Sequence, residues 1–172
     1  MEGTIKVINE LEEKGLVKKY AMGGGIATIF YVEPILTYDL DIFFIPTTEE
    51  EELNPLSSIH NYLKRKVCSI DKEHIIIEEI PVQFIPVYNE LIKEAVENAV
   101  DHRYKKTDAR ILKAEYLIAI MLQTFRAKDK EKIIKFVDEA KIDEKSLKDI
   151  LKRYGLIEKF ERFMKLYYEK QE

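Results

Sequence analysis

The chain has 172 residues, 46% hydrophobic, 35% charged and 10% aromatic, with 28 Lys and Arg against 32 Asp and Glu for a formal net charge of −4. That composition describes a globular domain, or a domain with a helical extension, and excludes collagen-like, disulfide-stapled and wholly disordered chains. No apolar run approaches the roughly 20 residues that cross a bilayer, and Cys68, the single cysteine, allows neither an internal disulfide nor a cysteine-based metal cage.

Ile5, Ile8 and Leu11 recur at helical spacing and Gly15 follows, which predicts an amphipathic opening helix with a glycine stop. Leu16 to Met22 reads as a short strand entering Gly23-Gly24-Gly25, and Ile26 to Tyr31 as a helix that starts directly after the glycines. Tyr38 to Ile45 is β-prone and ends at Pro46; its solid apolar second half predicts a strand buried on both faces. Glu49 to Glu52 reads as an acidic turn, Asn54-Pro55 as a helix cap with proline at the first helical position, and residues 55–66 as the helix. His74 to Glu79 and Ile80 to Ile85 are two more strands, and Leu91 to Val100 is helical. Further helices follow at Ala114 to Phe125, Asp129 to Ala140, Ser146 to Tyr154 and Ile157 to Tyr168. Strands first and helices later predict the α+β class: a small mixed sheet in a core over 1–100, and a helical C-terminal region over 101–172 packed on that core.

Charge divides between these parts. Residues 1–100 carry 9 basic and 18 acidic side chains, and residues 101–172 carry 19 basic and 14 acidic. A site that holds divalent cations on one wall and a polyanion on the other needs such a division, although Lys-rich solvated helix faces produce it too. Met1 to Glu13 is too acidic for a leader peptide, so a cytoplasmic protein is expected. The absence of Trp and the heavy use of Lys and Glu point to a thermophile source.

Asp39 and Asp41 stand two apart in a predicted strand, which puts both carboxylates on one face and Leu40 on the other. Adjacent anions repel, more so beside an apolar strand end, and a divalent cation relieves them. Oxygen ligands without Cys or a His cluster suit Mg²⁺ or Mn²⁺, which keep several waters and bridge to substrate phosphates. An isolated D-x-D, by contrast, is commonly a turn cap beside a solvated residue. Gly23-Gly24-Gly25, between strand and helix, lets a polyanion approach bare backbone N–H groups, but a tight turn needs the same residues. The cluster has neither the G-x-G-x-x-G spacing of dinucleotide sites nor a P-loop lysine.

Glycines opening a helix, followed by Thr37-Tyr38-Asp39-Leu40-Asp41 entering an apolar strand, resemble the signature of the nucleotidyltransferase superfamily with the polymerase-β-like fold. The text is similar to its minimal and AbiEii-toxin-like branch, G-G-x-A then T-x-D-h-D-h with h apolar, which Gly24, Gly25, Ala27, Thr37, Asp39 and Asp41 match. Ala114 to Ala119 followed by Arg126-x-Lys128-Asp129 resembles a later helical motif of those proteins, whose basic residues face nucleotide phosphates. The likeness spans roughly residues 16–140. It implies a small nucleotidyltransferase core with a mixed sheet, Asp39 and Asp41 as metal ligands, and Mg²⁺ or Mn²⁺ as cofactor. Gly24, Gly25, Thr37, Gln83 and Arg126 would contact a nucleoside triphosphate, Lys128 would assist the leaving pyrophosphate, and Asp129 would orient Lys128.

Two positions depart from that pattern. Val82-Gln83-Phe84 stands where transfer-competent relatives present a third carboxylate, and a Gln amide cannot accept a proton from an attacking hydroxyl. Ile35 stands where many relatives carry Arg. Either Glu78 or Glu79 substitutes for the third carboxylate, or metal alone activates the hydroxyl, or the site binds nucleotide without efficient turnover. The expected activity is transfer of a nucleoside monophosphate to a hydroxyl on tRNA, protein or a small molecule; the alternative is a weak or inactive nucleotide- or partner-binding module, including one of a toxin–antitoxin system.

His60, His74 and His102 are scattered and lack metal-ligand spacing, and Ser57-Ser58 lacks the G-x-S-x-G elbow of hydrolases. Lys105, Lys106, Arg110 and Lys113 form a candidate basic patch. Tyr154, Phe160, Phe163, Tyr167 and Tyr168 fall at near-helical spacing, which predicts core packing or a homo-oligomer contact through the C-terminal helices.

Overall fold

The apolar stripe of Thr4, Ile5, Ile8 and Leu11 is the buried face of helix α1, Glu2–Glu13, and Thr4 Oγ1 donates to the Ile77 carbonyl at 3.2 Å. The computed structural model describes residues 1–33, 36–48, 53–66, 69–71 and 73–169. Ile35, Cys68 and the acidic run Glu49 to Glu52 lie outside the described residues. Two units divide the chain: Met1–Phe30 with Pro34–Lys113, and Tyr31–Glu33 with Ala114–Glu172.

In the first unit, β1 (Lys19–Gly23) runs into the short helix α2 (Gly24–Ile29). β2 (Leu40–Ile45) follows, and Ile42, Phe43, Phe44 and Ile45 are all buried, as its solid apolar half predicts. Helix α3 (Ser57–Arg65) starts two residues after Pro55 and has no side-chain cap; the Ser57 N–H is taken by the Asn54 carbonyl at 3.2 Å, so Asn54 closes a turn through its backbone. β3 (Ser69–Asp71), β4 (His74–Ile77) and β5 (Ile80–Pro86) come next. Glu78 and Glu79, both at positive φ (50° and 67°), make the two-residue turn of the β4–β5 hairpin. Helix α4 (Glu90–Glu97) is capped by Asn89, whose side chain accepts from the Ile92 N–H at 2.8 Å.

Residues 101–111, counted above with the helical region, instead belong to strands β6 (Val100–Tyr104) and β7 (Thr107–Ile111), paired as an antiparallel hairpin, and the first unit extends to Lys113. The reason is a period of two hidden by charge: Thr107, Ala109 and Ile111 are buried while Asp108 is exposed and Arg110 half-buried between them. Among the described residues the seven strands form one mixed sheet in the order β3-β4-β5-β2-β1-β7-β6, with β2 parallel to β5 and β1 parallel to β7.

One face of this sheet is apolar through Leu40, Ile42 and Phe44 of β2, Val82 and Phe84 of β5, and Ile75 and Ile77 of β4, all buried. The other face carries the polar residues Asp41 and Gln83, both half-buried.

The second unit, among the described residues, holds helices α5 (Ala114–Thr124), α6 (Ala127–Glu139), α7 (Glu144–Arg153) and α8 (Ile157–Glu169). α5 is buried nearly all round. Asp143 caps α7 by accepting from the Lys145 and Ser146 N–H groups, and its own N–H donates to the buried Glu115 at 2.8 Å. No residue of α8 is fully buried; Phe163 meets Phe125 edge-on at 5.5 Å between ring centres. The aromatic positions of α8 are therefore a partly covered flank rather than core.

Candidate functional site

Strand pairing sets four residues in a row across the sheet. Gly23 of β1 is opposite Asp41 of β2, and Asp41 is level with Gln83 of β5. Ile75 pairs with Val82 in the antiparallel β4–β5 ladder, so one residue further His74 stands across from Gln83. Residues directly opposite in a sheet share a face, so His74, Gln83 and Asp41 project to the same side.

The glycine loop closes directly on this row. Gly24 has φ +59°, which favours glycine, and a Cβ built there would lie 1.8 Å from Asp41 Oδ2. A Cβ on Gly25 would lie 2.4 Å from Thr37 Oγ1. The structure thus brings Gly24, Gly25, Thr37 and Asp41 together as the motif spacing predicts, with no apolar layer between Asp41 and the loop. Ala27, the last residue of the G-G-x-A match, is fully buried in α2. Because α2 is only six residues long, bare backbone rather than a long helix dipole is what it offers a phosphate.

Asp39 lies just ahead of β2, its side chain 45% exposed, with Oδ2 3.6 Å from Nε2 of His74. Gln83 Nε2 donates to Glu73 Oε2 at 3.4 Å, so the carboxylate next to the Gln83 position is that of Glu73. Glu78 and Glu79 do not substitute for a third carboxylate there: they occupy the hairpin turn at the other end of β4, and the Glu78 side chain lies against Gly3 of α1.

Arg126 and Lys128 belong to the helical unit. The buried Asp129 accepts from the Arg126 N–H (3.0 Å), from Arg126 Nε (2.9 Å) and Nη2 (3.3 Å), and from Thr124 Oγ1 (2.8 Å). Burial works against ionisation of this carboxyl, but the hydrogen bonds from Arg126 and Thr124 together outweigh it and hold it below the usual carboxylate range. Asp129 therefore orients Arg126, not Lys128 as expected, because its place in the first turn of α6 turns it back onto the preceding residues. Lys128 is exposed at the start of α6. Nearby, the ammonium groups of Lys130 and Lys159 lie 4.4 and 4.2 Å from the centre of the Phe125 ring.

Arg110, one member of the candidate basic patch, is paired with carboxylates. Arg110 Nη1 is 2.6 Å from Glu12 Oε2, and its Nε is 3.5 Å from Asp101. A cavity of about 420 Å³ beside it is lined by Glu12, Glu13, Asp101 and Asp108 as well, and burial pushes the Tyr20 hydroxyl there up to about 12. His102 packs edge-on against Phe30, and His60 and Ser57-Ser58 sit on α3, with no metal-holding group of three or more His, Cys, Asp or Glu among the described residues.

No group of three or more His, Cys, Asp or Glu side chains among the described residues could by itself hold a metal ion. Mg²⁺ does not demand such a cage, since it is commonly held by one or two carboxylates together with waters and substrate phosphates. Asp39 and Asp41, with the bare Gly24 backbone against Asp41, fit that pattern of donors.

No family model matches the chain, and no curated protein matches it. Solved structures do: the chain has the fold of nucleotidyltransferase-like proteins. The antigenic nucleotidyltransferase-like protein from Paracoccidioides brasiliensis is similar at 10% identity with a TM-score of 0.54, over 78% of this chain and 73% of that one. The antibiotic-resistance factor ANT(2'')-Ia is similar at 12% identity and a TM-score of 0.51, over 99% of both chains. A second structure of it, in complex with adenylyl-2''-tobramycin, matches at 12% identity and a TM-score of 0.52, over 90% of this chain and 95% of that one.

Proposed function

We propose that this protein transfers a nucleoside monophosphate from a nucleoside triphosphate to a hydroxyl acceptor and releases pyrophosphate. The observation that carries the reading is the contact of Asp41 with the naked Cα of Gly24, because it joins the two halves of the motif at one point. Asp39 and Asp41 would hold Mg²⁺ or Mn²⁺. When bound, that cation supplies positive charge that neutralises a triphosphate and favours in-line displacement. The Gly24–Gly25 backbone presents N–H groups with no side chain in the way of a phosphate oxygen, and the Thr37 hydroxyl packs beside it. For Arg126 and Lys128, both exposed in the helical unit with Arg126 oriented by Asp129, a phosphate contact is what the sequence resemblance implies. The AbiEii-like branch is the finer assignment we attach to this reading, on the G-G-x-A and T-x-D-h-D-h text. A small hydroxylated molecule is the first acceptor to assay, given the adenylyl-2''-tobramycin complex among the similar structures; tRNA and protein follow.

The test incubates wild type, Asp39→Asn and Asp41→Asn with each α-labelled nucleoside triphosphate, Mg²⁺ and the three acceptor classes. Transfer by wild type and its loss in both variants is the expected result; equal transfer in all three removes the mechanism. Gln83, level with Asp41 where a third carboxylate is expected, favours one second reading, a nucleotide-binding module without efficient turnover. That reading predicts Mg²⁺-dependent thermal stabilisation by a nucleotide with no label transferred.

A further inference from the structure

His74 showed no recognisable spacing in the sequence, yet the hairpin places it in the row with Gln83 and Asp41, and its ring turns toward Asp39. Its Nε2 is fully buried and has no hydrogen-bond partner among the described residues, while Asp39 Oδ2 lies 3.6 Å away. A buried ring nitrogen without a partner is unfavourable. Asp39 Oδ2 falls just outside hydrogen-bond length, and such contacts in catalytic sites commonly tighten when the site fills. Asp39 carries two oxygens, and a carboxylate that gives one to a cation needs something to fix the other. In its Nε2–H tautomer, His74 has the donor for that task.

We propose that His74 is a positioning residue for Asp39: its Nε2–H holds the outer carboxylate oxygen, so that the inner one faces the cation beside Asp41. This rests on the metal-dependent transfer reading above. It also accounts for the half-exposed Asp39, which stands ahead of the regular strand and has no ladder to fix its backbone.

The test uses the full chain and Mn²⁺ alone as probe, with free Mn²⁺ followed by electron paramagnetic resonance, and thermal melting as the folding control. His74→Ala is expected to weaken Mn²⁺ binding by about 10- to 100-fold, the usual range for loss of an outer partner of a metal ligand. His74→Gln, whose amide nitrogen can reach the Nε2 position, is expected to keep most of the wild-type affinity. His74→Asn, whose donor sits nearer Nδ1, should behave like alanine. If alanine unfolds the chain, the Gln and Asn variants carry the same comparison. Wild-type affinity in His74→Ala or His74→Asn, or a His74→Gln as weak as alanine, overturns the positioning role alone. Absence of Mn²⁺ binding by wild type overturns the metal reading and this inference with it.

Discussion

Asp39 and Asp129 each face a basic side chain, and they are built for different purposes. Asp129 is all but fully buried and accepts four hydrogen bonds from Arg126 and Thr124, which bind the start of α6 to the end of α5. Asp39 is 45% exposed and meets His74 at a distance just too long for a hydrogen bond. A carboxylate saturated by its own chain holds a corner rigid; one left half-exposed with oxygen lone pairs to spare has capacity for a ligand. The same residue type is thus saturated by its own chain in one unit and left half-exposed in the other.

The contrast can be broken most sharply at Gly24. Gly24→Ala puts a Cβ where the Asp41 carboxylate now sits and forces alanine to a left-handed backbone, which costs roughly 1–2 kcal/mol. We expect Asp41 to be displaced and Mn²⁺ binding to be lost, out of proportion to that modest fall in stability by chemical denaturation. A variant that binds Mn²⁺ like wild type would show that the glycine contact is only a tight turn.

Asp129→Asn sharpens the other side. At neutral pH it should lower stability by about 1–2 kcal/mol, in the lower range for hydrogen bonds to a charged group because Arg126 is 62% exposed and screened by water. The folded carboxyl titrates below its ordinary value of about 3.9, so its contribution is complete above that value and is lost as pH falls through the lower, folded one. The gap between wild type and variant in urea melts should therefore be constant from pH 7 to about 5 and shrink below pH 4. Mn²⁺ binding should not change. A gap that persists unchanged at pH 2 would contradict the assigned role.

The smallest effect is a control outside both regions. Asn89→Ala removes the cap of α4 and should cost about 1 kcal/mol in thermal or urea melts, with no change in metal binding or transfer. A loss of metal affinity there would mean that binding follows global stability rather than the local contacts of Asp39 and Asp41.

What could be read from the chain alone was what local chemistry determines. A period of two put Asp39 and Asp41 on one side of a strand, a solid apolar run marked β2 as interior, and three glycines marked a close approach. Those signals lie within a few residues of one another; the structure shows the interior strand and the close approach of Gly24 to Asp41, while Asp39 stands just ahead of the strand. The β6–β7 hairpin escaped because charged residues masked its alternation, and the β4–β5 turn because Glu78-Glu79 lacks the glycine or asparagine usual at such positive φ. Missing that turn hid the register that carries His74 one residue beyond the Ile75–Val82 pair, toward Gln83. The partner of Asp129 and the neutralisation of Arg110 by Glu12 and Asp101 were equally out of reach. Strand register and side-chain partnership across long sequence separations are settled only when hydrogen-bond ladders and packing close together, so tertiary structure alone decided which histidine stands beside the acidic pair.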